Sequence, residues 1–175
     1  ITATAEQTEE YKEAVATYSV VVTNPNASVT EKTVTYNFGT DTEADFKNWD
    51  TGYLSRTANY ADATVKFKSA NKQSGTITDM PVTKGQDVEI IMKDNRTLKS
   101  FALTLKKWTT KAQTVTLHTS IDGGSTYTKT TTTSSTFALS VDELPAGTNA
   151  IKFTFSNSNN QVGIESCKLT FDVAE

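Results

Sequence analysis

The sequence predicts an all-β chain, an antiparallel two-sheet β-sandwich of jelly-roll-like layout. Three observations carry that prediction. Apolar residues recur at every second position over strand-length runs, as in Phe101, Leu103 and Leu105 or Phe137, Leu139 and Val141, which puts each set on one face of a strand. No segment sustains the 3.6-residue period of an amphipathic helix. Threonine makes up close to a fifth of the 175 residues, and its β-branched side chain suits strands while tolerating water.

The composition narrows the function classes. Hydrophobic residues are 36% and charged residues 21% of the chain, with a net charge of −3. An acidic balance of this kind argues against a nucleic-acid surface, which needs clustered Lys and Arg. Lys99, Lys106, Lys107 and Lys111 form the nearest basic cluster, and read as a solvated strand edge that discourages edge-to-edge pairing. Cys167 is the only cysteine, so no internal disulfide forms, and it shares phase with core positions Leu169, Phe171 and Val173. No apolar run approaches the ~20 residues of a membrane span, so no direct membrane insertion of this region is expected. The chain opens on Ile1, as expected for a piece of a longer protein whose neighbouring domains are its first partners.

Taken in order, residues 1–5 and 11–23 read as two strands joined by a polar link, with Ala16, Tyr18, Val20 and Val22 on one face. Two strands cannot bury a core alone. The turn-rich run Asn24-Pro25-Asn26-Ala27-Ser28 then marks a boundary, which gives a fragment over 1–26 and a main domain over 27–175. Val34, Tyr36 and Phe38 alternate in the first strand of that domain. Residues 41–61 are polar and aromatic, with one helical turn expected over 41–48. Val65 and Phe67 mark a strand, 76–78 a short strand, 79–85 a turn, and Val88, Ile90 and Met92 another strand. Phe101 to Leu105, Val115 and Leu117, and Phe137 to Val141 follow. Residues 128–136, nearly all Thr and Ser, read as an exposed strand. Ile151, Phe153 and Phe155 come next, and the last strand changes apolar phase between Ile164 and Cys167, which predicts a bulge near Glu165. The total is about nine strands at short spacing, the pattern of a sandwich or jelly roll.

Two groups of residues carry local chemistry. Ser120, Asp122, Gly124, Thr126 and Tyr127 stand at the spacing of a hairpin in which the Ser and Asp side chains accept turn N–H groups, Gly supplies a positive φ and the aromatic ring packs beneath. Trp49, Tyr53, Arg56, Asn59 and Tyr60 form the candidate ligand patch. Aromatic faces stack on sugar rings, and Arg and Asn hydrogen-bond hydroxyls; the same aromatics could instead plug one end of the sandwich. Trp108 faces the same choice, and the exposure of these rings separates the two readings. Asn157, Asn159, Asn160 and Gln161 make a second polar loop.

Catalytic signals are weak. His118 is the single histidine, out of phase with its apolar neighbours, and no thiol pair accompanies it as a zinc site would need. No Gly-x-Ser-x-Gly elbow positions a nucleophile. Asp41, Glu43, Asp45, Asp50, Asp62, Asp79, Asp87 and Asp94 read as solvated loop charges, with nothing to couple two of them as a glycosidase pair. No cofactor or transition metal is needed, and no spacing singles out a calcium site.

Three resemblances add to these readings. The stretch Tyr11-Lys12-Glu13-Ala14 and the alternating run after it resemble the closing strands of bacterial Ig-like domains, which implies a short N-terminal Ig-like strand fragment. Ser120 to Tyr127 resembles the Asp-box hairpin of sialidase-type propellers; there the box is structural, and its single copy here gives no basis for a sialidase. From Pro81 onward, Trp108, the Thr119–Tyr127 hairpin, Leu144 to Phe153 and Asn160 to Glu165 resemble accessory domains of Bacteroidetes surface proteins. That likeness implies a jelly-roll module on an extracellular or cell-surface protein of a Gram-negative gut bacterium, and transfers no site residues. The expected function is therefore non-catalytic glycan binding. The alternatives are a structural spacer or adhesin stalk and, more remotely, an accessory domain of a secreted hydrolase or nuclease.

Overall fold

The computed structural model describes residues 2–4, 15–17, 29–45, 48, 52–72, 81–84, 87–107, 114–133, 137–155 and 161–174. The chain divides into two units, Ile1–Ser28 with Ala174–Glu175, and Val29–Val173. In the first unit β1 (Thr2–Thr4) and β2 (Val15–Thr17) pair antiparallel, with Ala3 opposite Ala16. Tyr18, Val20, Val22 and the run 24–28 lie outside the described residues.

The second unit is built from β3 (Val29–Asn37), β4 (Leu54–Asn59), β5 (Ala63–Lys72), β6 (Pro81–Lys84), β7 (Val88–Met92), β8 (Leu98–Lys107), β9 (Val115–Ser120), β10 (Thr128–Thr133), β11 (Ala138–Val141), β12 (Ala150–Phe155) and β13 (Gln161–Ala174). The strands form two antiparallel layers. One runs β4-β5-β7-β12-β9-β10, and the other β3-β13-β8-β11, with β6 paired to both β5 and β13. Successive strands cross between layers at β7 to β8, β8 to β9, β10 to β11, β11 to β12 and β12 to β13. This repeated crossing makes the sandwich jelly-roll-like.

Alternation explains each layer. In β7 the burial runs in strict period two, with Val88, Ile90 and Met92 inward and Glu89 and Ile91 outward. Leu117, Ile151, Phe153 and Val65 add their inward faces to the same layer. Opposite them stand Phe38, Leu98, Phe101, Leu103, Ile164, Leu169 and Phe171. Aromatic rings join the layers: Phe101 meets Phe153 at 5.9 Å between centroids, and Phe38 meets Phe67 edge-on at 5.3 Å. Cys167 is fully buried among them, and burial pushes its thiol pKa up.

Two strands change phase where they leave their layer. β13 shifts register against β8 between Ile164 and Ser166, and the intervening Glu165 carbonyl accepts the Phe38 amide at 3.1 Å. The bulge lies where the apolar phase of the sequence breaks. β5 behaves alike. Its register against β4 slips between Leu54 and Arg56, so Ala63, Val65 and Phe67 point inward, and after the slip Ala70 does too. Beyond these bulges both strands continue to β6, the segment that joins the layers. The sequence predicted a turn over 79–85, and this is corrected: residues 81–84 are strand. Pro81 is tolerated because it is the first residue of that strand.

Other expectations shift too. Residues 54–59, read as part of a long polar segment, are strand β4. The helical turn expected over 41–48 is a 3-10 turn at Thr42–Ala44. β8 is paired on both sides only over residues 101–104, to β13 and β11, so Lys99 and Lys106 flank the doubly paired stretch. The short strand expected at 76–78 lies outside the described residues.

Asp62 is the clearest departure. Read as a solvated loop charge, it is 6% exposed. It sits in the turn between β4 and β5, where Lys32 of β3 donates to both its oxygens at 2.9 and 3.1 Å and Arg96 donates to Oδ1. The Lys93 amide donates to the Asp62 carbonyl at 2.9 Å, and the Lys93 ammonium to the Tyr60 carbonyl. The Arg96 guanidinium also lies 5.7 Å from the centre of the Phe171 ring. One buried carboxylate thus joins β3, the β4–β5 turn and the β7–β8 connection. Removing it leaves the half-buried Arg96 guanidinium, among the described residues, with only the exposed Asp94 carboxylate, 3.3 Å away. Asp62→Ala is expected to cost about 2–4 kcal/mol, less than a fully buried pair because Lys32 is largely exposed. Urea unfolding of both proteins checks this, and a loss below about 1 kcal/mol would show the cluster to be incidental.

The β9–β10 reversal shows why its residues stand at their spacing. The Ser120 hydroxyl donates to Asp122 Oδ1 at 2.6 Å and accepts the Gly124 amide at 2.9 Å. Asp122 accepts the Thr126 amide at 2.9 Å and the Thr126 hydroxyl at 2.6 Å. Gly123 and Gly124 adopt φ of 70° and 88°. Asn149, at the start of β12, holds the turn from outside. Its Oδ1 accepts the Gly123 amide at 2.8 Å and its Nδ2 donates to the Ile121 carbonyl at 3.1 Å. A Cβ on Gly124 would stand 2.7 Å from the Tyr127 hydroxyl. Gly124→Ala therefore combines a left-handed backbone with a clash. We expect it to cost about 1–3 kcal/mol in thermal melts, while a neutral result would mean that the turn readily rearranges.

Donation from the Ser120 hydroxyl first, and then from the Thr126 hydroxyl and amide, holds the Asp122 carboxyl at about 2, below its usual 3.8. A depressed folded pKa means that the stabilisation is present above about pH 4 and lost as the pH falls toward 2. The melting-temperature advantage of wild type over Asp122→Asn should shrink across that window. A constant gap would place the effect elsewhere.

Candidate functional site

The outward face of the β4-β5-β7-β12-β9-β10 layer is where polar side chains gather. Antiparallel register puts directly opposed residues on the same face. Lys129 of β10 stands opposite His118 of β9, His118 opposite Lys152 of β12, and Lys152 opposite Glu89 of β7. Glu89 in turn stands opposite Lys66 of β5, and Lys66 opposite Thr57 of β4. One row of side chains therefore crosses six strands. Asp87 and Lys68 lie beside it, their charges 3.6 Å apart.

The row has two local features. The Tyr127 ring lies under the Lys152 ammonium, 4.4 Å from nitrogen to centroid. The Tyr127 hydroxyl is buried and makes no hydrogen bond among the described residues. Burial, with the nearby charge of Glu89, raises its pKa well above the usual tyrosine value. His118 moves the other way: partial burial, then the Lys152 ammonium, lower its pKa. At neutral pH it is an uncharged imidazole between two lysines.

At the β4 end the face opens into a cleft of about 300 Å³ lined by Ser55, Arg56, Lys66, Lys68, Asp87 and Glu89, with Phe67 and Thr57 completing the wall. The cleft reaches the size range of small-ligand sites. Its walls carry the ammonium donors of β5 and the carboxylate acceptors Glu89, on β7, and Asp87, just before it.

Of the predicted patch, the described residues Tyr53, Arg56, Asn59 and Tyr60 do not share one face. Trp49 lies outside the described residues, as do Trp108 and residues 157–160 of the second polar loop. Tyr53 is half-buried in the bend before β4. Arg56 lies on β4 and lines the cleft, on the same side of the strand as the buried Ala58. Asn59, three positions on, points to the opposite face and accepts the Thr64 hydroxyl at 3.4 Å. Tyr60 is 5% exposed and stacks on Tyr36 at 3.9 Å between ring centroids, so its ring belongs to the core. Period two separates Arg56 from Asn59, and burial removes the Tyr60 face.

Reading by sequence missed Lys66, Asp87, Glu89, Lys129 and Lys152 as members of one face. His118 was legible as an outward residue, but its neighbours were not. Among the described residues no group of three or more His, Cys, Asp or Glu converges as a metal site. Among the described residues no helix is long and apolar enough to cross a membrane.

Comparison with known proteins adds little. No protein-family model and no curated protein matches the chain. Among solved structures it is similar to one described as "Carbohydrate binding module family29", with 15% sequence identity and a TM-score of 0.37 over 83% of this chain and 89% of that one. A likeness at this level decides nothing about ligand or site.

Proposed function

We propose that residues 29–173 form a non-catalytic carbohydrate-binding module of an extracellular or cell-surface protein, with the β4-β5-β7 cleft as its seat. One observation carries this reading. The cleft sets cationic donors, Lys66 and Lys68, beside carboxylate acceptors, Asp87 and Glu89, in an open space of about 300 Å³ that Arg56 also lines. A sugar hydroxyl donates one hydrogen bond and accepts others, so a ligand bearing many hydroxyls needs both kinds of partner close together. The likeness of the sequence to accessory domains of surface proteins supports the extracellular placement.

An open, water-filled cleft of this kind binds weakly, with Kd on the order of 10 µM to 1 mM. Calorimetric titration with a panel of plant and host glycans tests it. Arg56→Ala and Asp87→Ala are each expected to weaken binding about tenfold, about 1.4 kcal/mol. Lys68 is exposed, Asp87 half-buried and their charges 3.6 Å apart, so Asp87→Ala should lower stability by less than about 1 kcal/mol. If no glycan in the panel binds the wild-type protein, the spacer reading takes precedence.

A further inference from the structure

Beyond the cleft, the row on the same sheet face has a charge pattern of its own. Lys129, Lys152 and Lys66 stand on β10, β12 and β5, every second strand of the layer. At the spacing of neighbouring strands this puts an ammonium group roughly every 10 Å along a line across the sheet. Lys68 adds a fourth cation near the cleft, against the carboxylates of Glu89 and Asp87. Lys66, Lys129 and Lys152 make no ion pair among the described residues. The face is thus cationic on a chain whose net charge is −3. The side chains between the lysines, His118 and Glu89, are polar, Thr57 ends the row, and the Tyr127 ring lies beside it under Lys152.

We infer that this face binds an acidic polysaccharide, a chain bearing uronate carboxylates, laid across the strands from the β4–β5 cleft toward β10. The inference rests on the glycan-binding reading and narrows its ligand class. Regularly spaced cations spanning five strands, β10 to β5, complement a polymer with regularly spaced anions, whereas a single sugar would engage only one end. Glu89, between Lys152 and Lys66, is an acceptor for ring hydroxyls and disfavours a uniformly dense polyanion.

The test uses the intact chain with three probes: polygalacturonate, the same polymer with its carboxylates reduced to alcohols, and a single-stranded DNA oligonucleotide. Polygalacturonate should bind at least about tenfold more tightly than the reduced polymer at low salt, and lose that advantage as NaCl rises from about 20 to about 300 mM. Lys129→Ala and Lys66→Ala should each weaken polygalacturonate binding about fivefold. Lys129→Ala should leave the weaker binding of the reduced polymer unchanged, since Lys129 lies outside the cleft. Both lysines are exposed, so neither variant threatens folding. Equal binding of the charged and reduced polymers would overturn the inference and leave the cleft reading intact. So would binding of a neutral glycan from the panel with none of polygalacturonate. DNA binding as tight as polygalacturonate would also overturn it, since the face would then recognise charge alone. Failure of every glycan removes the cleft reading and this inference together.

Discussion

Everything in the sandwich depends on keeping apolar side chains on one side of each strand while the strands turn a corner. A one-residue slip would move every apolar side chain of a strand to water. β5 and β13 meet this constraint in the same way, with a bulge beside the residues that also pair with β6. The extra residue resets the phase, so Ala70 follows Phe67 into the core and Cys167 follows Ile164. Without those resets, either the core would lose its far end or the two layers would part at their shared edge.

The core places the polar groups as well. Because inward positions are filled, charged side chains of the β4-to-β10 layer fall on its outer face in register, where they form a continuous row. Among the described residues, the one carboxylate driven inside, Asp62, is held by Lys32 and Arg96, since a buried charge without partners would be costly. Tyr36 and Tyr60 bring their hydroxyls inside with their rings. Burial comes first, and the Asp62 charge for Tyr36 or the Asp41 charge for Tyr60 comes next, in raising their pKa values. These groups serve the fold, and the site is built from what the fold leaves outside.

The candidate site shows where reading a sequence fails. Arg56, Asn59 and Tyr60 look like one polar-aromatic patch because they are close along the chain. On a strand, nearness of that kind separates side chains, since neighbours point to opposite faces. The residues that share the outer face are Thr57, Lys66, Glu89 and Asp87, from separate stretches of chain joined through the pairing of β4, β5 and β7. The Asp-box hairpin was legible for the opposite reason. All its bonds but those of Asn149 lie within seven residues, so the spacing of Ser120, Asp122, Gly124 and Thr126 carries the geometry with it.

The sequence by itself determined the all-β class, the inward set of most strands, the turn at Asp122 to Gly124, the burial of Cys167 and the need for a bulge near Glu165. Each follows from the two-residue repeat of a strand or from hydrogen bonds between near neighbours, and both are written locally. Only the tertiary structure decided that residues 81–84 join the layers, that Asp62 is buried, that β8 is paired on both sides, and that lysines from three separated strands share one line. Those facts depend on which strands lie side by side. Strand order is settled by the packing of two whole faces against each other, Phe101 on Phe153 and Phe38 on Phe67, and no local pattern in the chain specifies those partners.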